Sequence, residues 1–216
     1  MQTASPTAAL AGVPAGVQAM GPWIGRRQLF VRFAAEAETA TMYTPDALSN
    51  ELDRVAARSA YHSISVSGRD PLANAAFLGA VFGNRAAPLP LMLDCDGQRP
   101  EALGGLLPHL ALFQVTLEGS PADAFVERGV NSLRIAAAAG VEHALVLSPE
   151  EKTTDGQLLR VVSQAHLASG RAVIVVHPPD GTAEKDRRWL TFMEQAAALH
   201  ADTRILLRLP RPTGMR

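Results

Sequence analysis

The stretch LFQVTLEGSPADAFVERGVNSLRIAAAAGVEHALVLS, residues 112–148, decides the fold. Its two ends, LFQVTL (112–117) and HALVLS (143–148), are short runs rich in large apolar and β-branched residues, and the segment 124–139 between them is helix-like. Strand, helix and strand in that order make a βαβ unit, whose strands run parallel and whose crossover is right-handed. Gly140, just past the helix, reads as its left-handed cap.

The unit repeats in both directions. Upstream, QLFVRF (28–33) precedes a helix over 45–59, where Thr44 caps the free amides and Pro45 suits the first helical position. SISVS (63–67) precedes 71–83, and LPLMLD (89–94) precedes 100–107. Downstream, HALVLS precedes 154–168, AVIVVH (172–177) precedes 186–199, and TRILLRL (203–209) closes the series. Asn84 and Gly170 stand where further left-handed caps are expected. Several of these runs are continuously apolar, the pattern of parallel strands covered on both faces. Repeated strand–helix alternation implies an α/β fold with mostly parallel strands, either an open sheet or a partial (β/α)6-type barrel. Residues 21–216 make a single domain on this reading, preceded by a flexible segment, 1–20, broken by Pro6, Pro14 and several glycines.

Composition narrows the function classes. The 216 residues are 47% apolar, enough for one sizeable core, and a formal charge of -1 provides no global field for nucleic acid or an anionic membrane. The single cysteine, Cys95, cannot form an internal disulfide or, alone, a structural zinc or iron–sulfur site. A cytoplasmic protein fits best. The N-terminus lacks an early basic residue and does not read as a signal peptide, and no run approaches the ~20 apolar residues of a membrane span.

In such folds the working face lies at the C-terminal ends of the strands, here the loops beginning near Ala34, Ser67, Asp94, Leu117, Ser148 and His177. Asp70, Asp94, Asp96 and His177 fall on it, and converging carboxylates with an imidazole can hold a divalent metal or act as acid and base. The same residues have local readings. Asp70 caps the helix that begins at Pro71, Asp94 and Asp96 cap a helix or form an Asx turn at Gly97, and His177 ends a strand before Pro178. Cys95 reads as a small buried hydrophobe, since neighbouring carboxylates raise a thiol pKa. Arg69, Arg208 and Arg211 could form an anion-binding rim or serve as ordinary surface arginines, and Trp23 could contact a flat base or pack on a core edge.

Several segments together carry a family resemblance. GPWIGRRQLFVRFA (21–34) with the following loop and TP helix start, ISVSGRDPLANAAFL (64–78), LMLDCDGQRPEAL (91–103), VIVVHPP (173–179) and the ending TRILLRLPRPTGMR (203–216) resemble, in order, the segments of 7-carboxy-7-deazaguanine synthases, members of the radical S-adenosylmethionine superfamily. The resemblance implies a compact partial barrel, a homodimer, and a carbon–nitrogen lyase of deazapurine (queuosine) biosynthesis that uses a [4Fe-4S] cluster, S-adenosylmethionine and Mg2+. It places the cofactor's amino group against Ser67, Gly68, Arg69 and Asp70, and the three cluster cysteines at Glu36, Ala40 and Tyr43.

The departures point the other way. None of those three positions is a thiol, and an isolated glutamate is a poor substitute for soft sulfur at iron. Arg69 stands where the family has glycine and Asp70 where it has glutamate, and Met20 replaces an acid of the substrate site. The apolar frame is intact while the polar loops are not. The expectation is a noncatalytic homologue that keeps the scaffold as a binding or interaction module, with no bound cofactor and a nucleobase- or pterin-like ligand. The alternatives are an enzyme repurposed around Asp70, Asp94, Asp96 and His177, and the family's own activity.

Overall fold

A computed structural model of the chain describes residues 6–83, 85–182 and 186–209. The deciding stretch folds as expected. β7 (Leu112–Glu118) and β8 (His143–Ser148) pair in parallel from Phe113↔His143 to Glu118↔Ser148, joined by α3 (Asp123–Ala138). Gly140 follows α3 with φ +74°, as a left-handed cap requires. Gly170 is not in that region: α4 (Asp155–Ala168) ends instead at Ser169 in extended conformation. Asn84 and Arg211 lie outside the described residues.

The remaining units are β3 (Arg27–Phe33) with α1 (Pro45–Ala56), β5 (Ser63–Gly68) with α2 (Ala75–Phe82), β6 (Leu91–Cys95), β9 (Val173–Val176) with α5 (Arg188–Leu199), and β10 (Thr203–Ile205). Thr44 caps α1 by accepting from the Ala47 amide, with Pro45 in the first turn. The helix expected over 100–107 is absent. Two short 3-10 turns, Pro100–Ala102 and Leu107–His109, take its place, because Gly104, Gly105 and Pro108 interrupt the segment.

From β3 to β10 the spatial order of the strands follows the chain, β3-β5-β6-β7-β8-β9-β10, with every pairing parallel. An order that never reverses, with right-handed crossovers, sends every helix to the same face. The core agrees: Leu29, Val31, Ile64, Val66, Leu93, Phe113, Val115, Leu145 and Ile174 share one buried cluster with Leu48, Phe77, Leu133, Val162 and Phe192 of the five helices. The opposite face carries the alternate strand residues. The two edges of the sheet are β10 and β4 (Thr41–Tyr43), so the sheet is open and not a closed barrel.

The N-terminal stretch is a correction to the expected boundary at residue 21. β1 (Ala8–Leu10) and β2 (Ala15–Val17) both run antiparallel to β3, and β1 also pairs with β4. Leu10 is fully buried, so the domain begins near Ala8. Beyond β2 the chain crosses the helix-free face. The Gln18 amide bonds the Arg26 carbonyl at 2.9 Å, the Gly21 amide donates to His177 Nε2 at 2.9 Å, and the Leu209 amide donates to the Ala19 carbonyl at 3.1 Å. Trp23 then packs with Met92, Leu112 and Ala144. Among the described residues no helix is long and apolar enough to cross a membrane.

Candidate functional site

At the C-terminal ends of β3, β5, β6 and β7 lies a cleft of about 620 Å³, whose walls include Met20, Ser67, Gly68, Asp94, Thr116 and Glu118. Its floor follows from strand register. Asp94 pairs with Gln114, and Arg32 with Ser67, so residues pointing away from the helices on β3, β5, β6 and β7 line up side by side. Gly68 is required where it stands: its φ is +100°, and a Cβ would come within 2.4 Å of the Phe33 carbonyl oxygen.

Asp94 makes no ion pair among the described residues. Its carboxylate accepts from Thr116 Oγ1 at 2.6 Å, and the Gln114 amide group also helps hold it. Burial pushes its pKa up from 3.8 to about 6, against the opposing effect of these hydrogen bonds. Gln114 is beside Asp94, and from there toward the N-terminal ends of β5 and β3, past Ser65 opposite Met92 to Gln28 opposite Ser63, the same face of the sheet is hydrophilic, incompletely paired and outside the cleft lining. Gln28, Ser63, Ser65 and Gln114 are all buried, and Gln28 Oε1, Ser65 Oγ and Gln114 Oε1 have no hydrogen-bond partner. These polar strand positions were missed by reading the strands as apolar. The signal was present in the alternation of SISVS and in Gln114 and Thr116 of LFQVTL.

The other expected candidates are occupied. Asp70 sits in a left-handed conformation (φ 43°), caps the turn at Pro71 by accepting from the Ala73 amide, and takes the Arg99 guanidinium at 2.7–3.0 Å. The Arg99 contact holds its carboxyl below the usual range. Asp96 accepts from the Gln98 amide at 3.0 Å, an Asx turn around Gly97. His177 is buried beneath the crossing segment. Nδ1 donates to the Leu206 carbonyl at 2.8 Å and Nε2 accepts from Gly21, while burial, with a smaller push from Arg208, lowers its pKa. It clamps backbone and does not face the cleft. Asp70, Asp94, Asp96 and His177 therefore do not converge, and among the described residues no group of three or more His, Cys, Asp or Glu is placed to hold a metal ion.

The three positions opposite the family's cysteines also separate. Glu36 is exposed and reaches Arg69 at 3.3 Å; Ala40 is exposed; Tyr43 turns to the helix side, where its hydroxyl donates to Glu51 at 2.8 Å. The loop is organised by Glu38, which accepts from the Ala35 amide at 3.0 Å and pairs with Arg32. Arg69 and Arg208 make no anion rim, because Arg208 bonds Ser148 Oγ at 2.6 Å and lies 3.8 Å from Glu118. Cys95 is buried and burial raises its pKa far above the thiol range. Trp23 stacks edge-on against His62 at 4.8 Å near the N-terminal ends of the strands, away from the cleft.

With arginines 32, 69 and 208 each beside a glutamate, the charge left over in the cleft among the described residues is the carboxylates of Asp94 and Asp96. Such a site favours ligands that bring hydrogen-bond donors or positive charge. Compared with known proteins, this sequence matches no family model and no curated protein.

Proposed function

We propose that the chain is a noncatalytic relative of the 7-carboxy-7-deazaguanine synthase-like radical S-adenosylmethionine proteins, keeping a partial (β/α) barrel as a binding module for a small, donor-rich ligand. The observation that carries the binding role is Asp94, a carboxylate in a 620 Å³ cleft with no counter-cation among the described residues, beside Gln114, whose Oε1 is buried and unpaired. Buried polar atoms in that condition favour a ligand or ordered water that satisfies them. A planar heterocycle with adjacent N–H groups, of purine or pterin type, matches a carboxylate accepting two hydrogen bonds. The singly wound strand order supports the partial-barrel reading. The dispersal of Glu36, Ala40 and Tyr43 supports a lost cluster site. A homodimer in the cytoplasm is part of the same proposal.

The test is calorimetry with guanine, pterin and S-adenosylmethionine, with and without Mg2+, after anaerobic treatment with iron and sulfide. The reading expects heterocycle binding that weakens about tenfold or more in Asp94→Asn, the loss of one charged hydrogen bond, with no cofactor cleavage. Stoichiometric cluster with cleavage would overturn it. A second reading has one observation in its favour: a carboxyl with a pKa of about 6 suits general acid–base work. Turnover of a bound heterocycle that disappears in Asp94→Asn would select it.

A further inference from the structure

Two histidines far from the cleft have an unusual relation. His166, in the last turn of α4, and His200, which follows α5, bring their Nδ1 atoms to 3.1 Å with the rings 71° apart. The tautomer of His200 is set on its other side, where Nε2–H donates to the Ala172 carbonyl at 2.6 Å. A neutral His200 therefore aims its Nδ1 lone pair at His166. With no metal, His166 must supply the proton that separates the two nitrogens.

A metal ion can replace that proton. At the usual ~2.0–2.1 Å from imidazole nitrogen, one ion bound to both Nδ1 atoms would subtend an angle of about 97°, between square-planar and tetrahedral values. A ligating histidine characteristically donates its second N–H to a backbone carbonyl, as His200 does to Ala172. His200 is buried and held by the Ala172 carbonyl, while His166 is exposed, so water can complete the coordination from the solvent side.

We infer that His166 and His200 form a two-imidazole site for a divalent transition-metal ion, Cu2+, Ni2+ or Zn2+, that ties the end of α4 to the end of α5. The site is independent of the cleft.

The full chain, freed of any purification tag and stripped with chelator, is titrated calorimetrically with Cu2+, Ni2+ and Zn2+ at pH 7.5. One equivalent is expected to bind. His166→Gln, an exposed substitution that leaves the His200 bond to Ala172 in place, should weaken it at least ~10-fold, whereas His109→Gln should not. The Cu2+ spectrum should carry coupling to two nitrogens in the wild type and one in His166→Gln. Absence of saturable one-to-one binding, or unchanged affinity and nitrogen coupling in His166→Gln, overturns the inference.

Discussion

On the helix-covered face of the sheet, Leu29, Ile64, Leu93, Phe113, Leu145 and Ile174 meet helix residues in one continuous apolar cluster. On the other face the same strands present Gln28, Ser65, Asp94 and Gln114 on β3 to β7, then Ala144, Val146, Val173 and Val175 on β8 and β9. Both faces are largely buried, yet the strands' unpaired polar atoms, Gln28 Oε1, Ser65 Oγ and Gln114 Oε1, all lie on the second. The helix-free face is closed by a single backbone segment hung on His177 and Ala19, with three acceptors beneath it unpaired. One side of the sheet is thus packed with apolar side chains, and the other buries polar groups that the described residues leave unpaired.

The largest effect expected from that contrast is on the helix side. Phe113, fully buried in central β7, should cost about 3–5 kcal/mol on truncation to alanine, because the transferred surface is lost and the neighbouring helix cannot close the cavity. Urea unfolding measures it, and a loss under about 1 kcal/mol would mean that the apolar face is not what holds the fold.

Next comes Gly21, where the crossing segment touches the polar face. Its φ is +79°, and a Cβ would lie 2.1 Å from Gln114 Oε1. Gly21→Ala should cost roughly 2–4 kcal/mol, part left-handed backbone strain and part displacement of Gln114 from Thr116. In a Gln114→Ala background only the backbone share should remain, so the two substitutions should be strongly non-additive. Additivity would place the segment elsewhere.

How far the sequence carried is clearest from these same residues. The alternation of strands and helices around residues 112–148 was legible because apolar period and chain length depend only on local pattern. The 3-10 turns at Pro100–Ala102 and Leu107–His109 replaced an expected helix through a glycine pair and a proline that an apolar count overlooks. β1 and β2 were hidden because a short edge strand owes its existence to the partner beside it, and nothing in the run around Ala8 to Val17 names β3. At the site, position was legible and pairing was not. Asp70, Asp94 and Asp96 were all placed at strand ends, but that Arg99 would claim Asp70, from 29 residues away, is a tertiary fact.

A smaller effect than those of Phe113 and Gly21 is expected from the charge of Asp94. Its folded pKa of about 6 lies above the ordinary 3.8, so the folded state holds the proton more tightly than the unfolded chain. Below pH ~4 both states are protonated and nothing is lost. As pH rises through about 4 to 6 the unfolded state releases its proton first, and stability should fall by on the order of 2 kcal/mol, discounted for the access Asp94 keeps to the cleft. Asp94→Asn should flatten that decline, as read from urea midpoints between pH 4 and pH 7. A wild type that gains stability over the same range relative to the variant would mean that Asp94 has a cationic partner after all.

The smallest effect is the most pointed. Ser65 is 1% exposed in central β5 and its hydroxyl has no partner, so removing it takes away a desolvated group and no hydrogen bond. On the helix face, truncating a buried side chain opens a cavity; here Ser65→Ala deletes only a hydroxyl and should change stability by no more than about 0.5 kcal/mol, or raise it. If that hydroxyl serves a bound donor, the same substitution should weaken heterocycle binding while leaving unfolding untouched. Calorimetry and urea unfolding on one variant therefore separate the two roles. A destabilisation above about 1 kcal/mol without ligand would mean that Ser65 already bonds a structural water, and the polar half of the inner face would then be a hydrated core and not a binding surface.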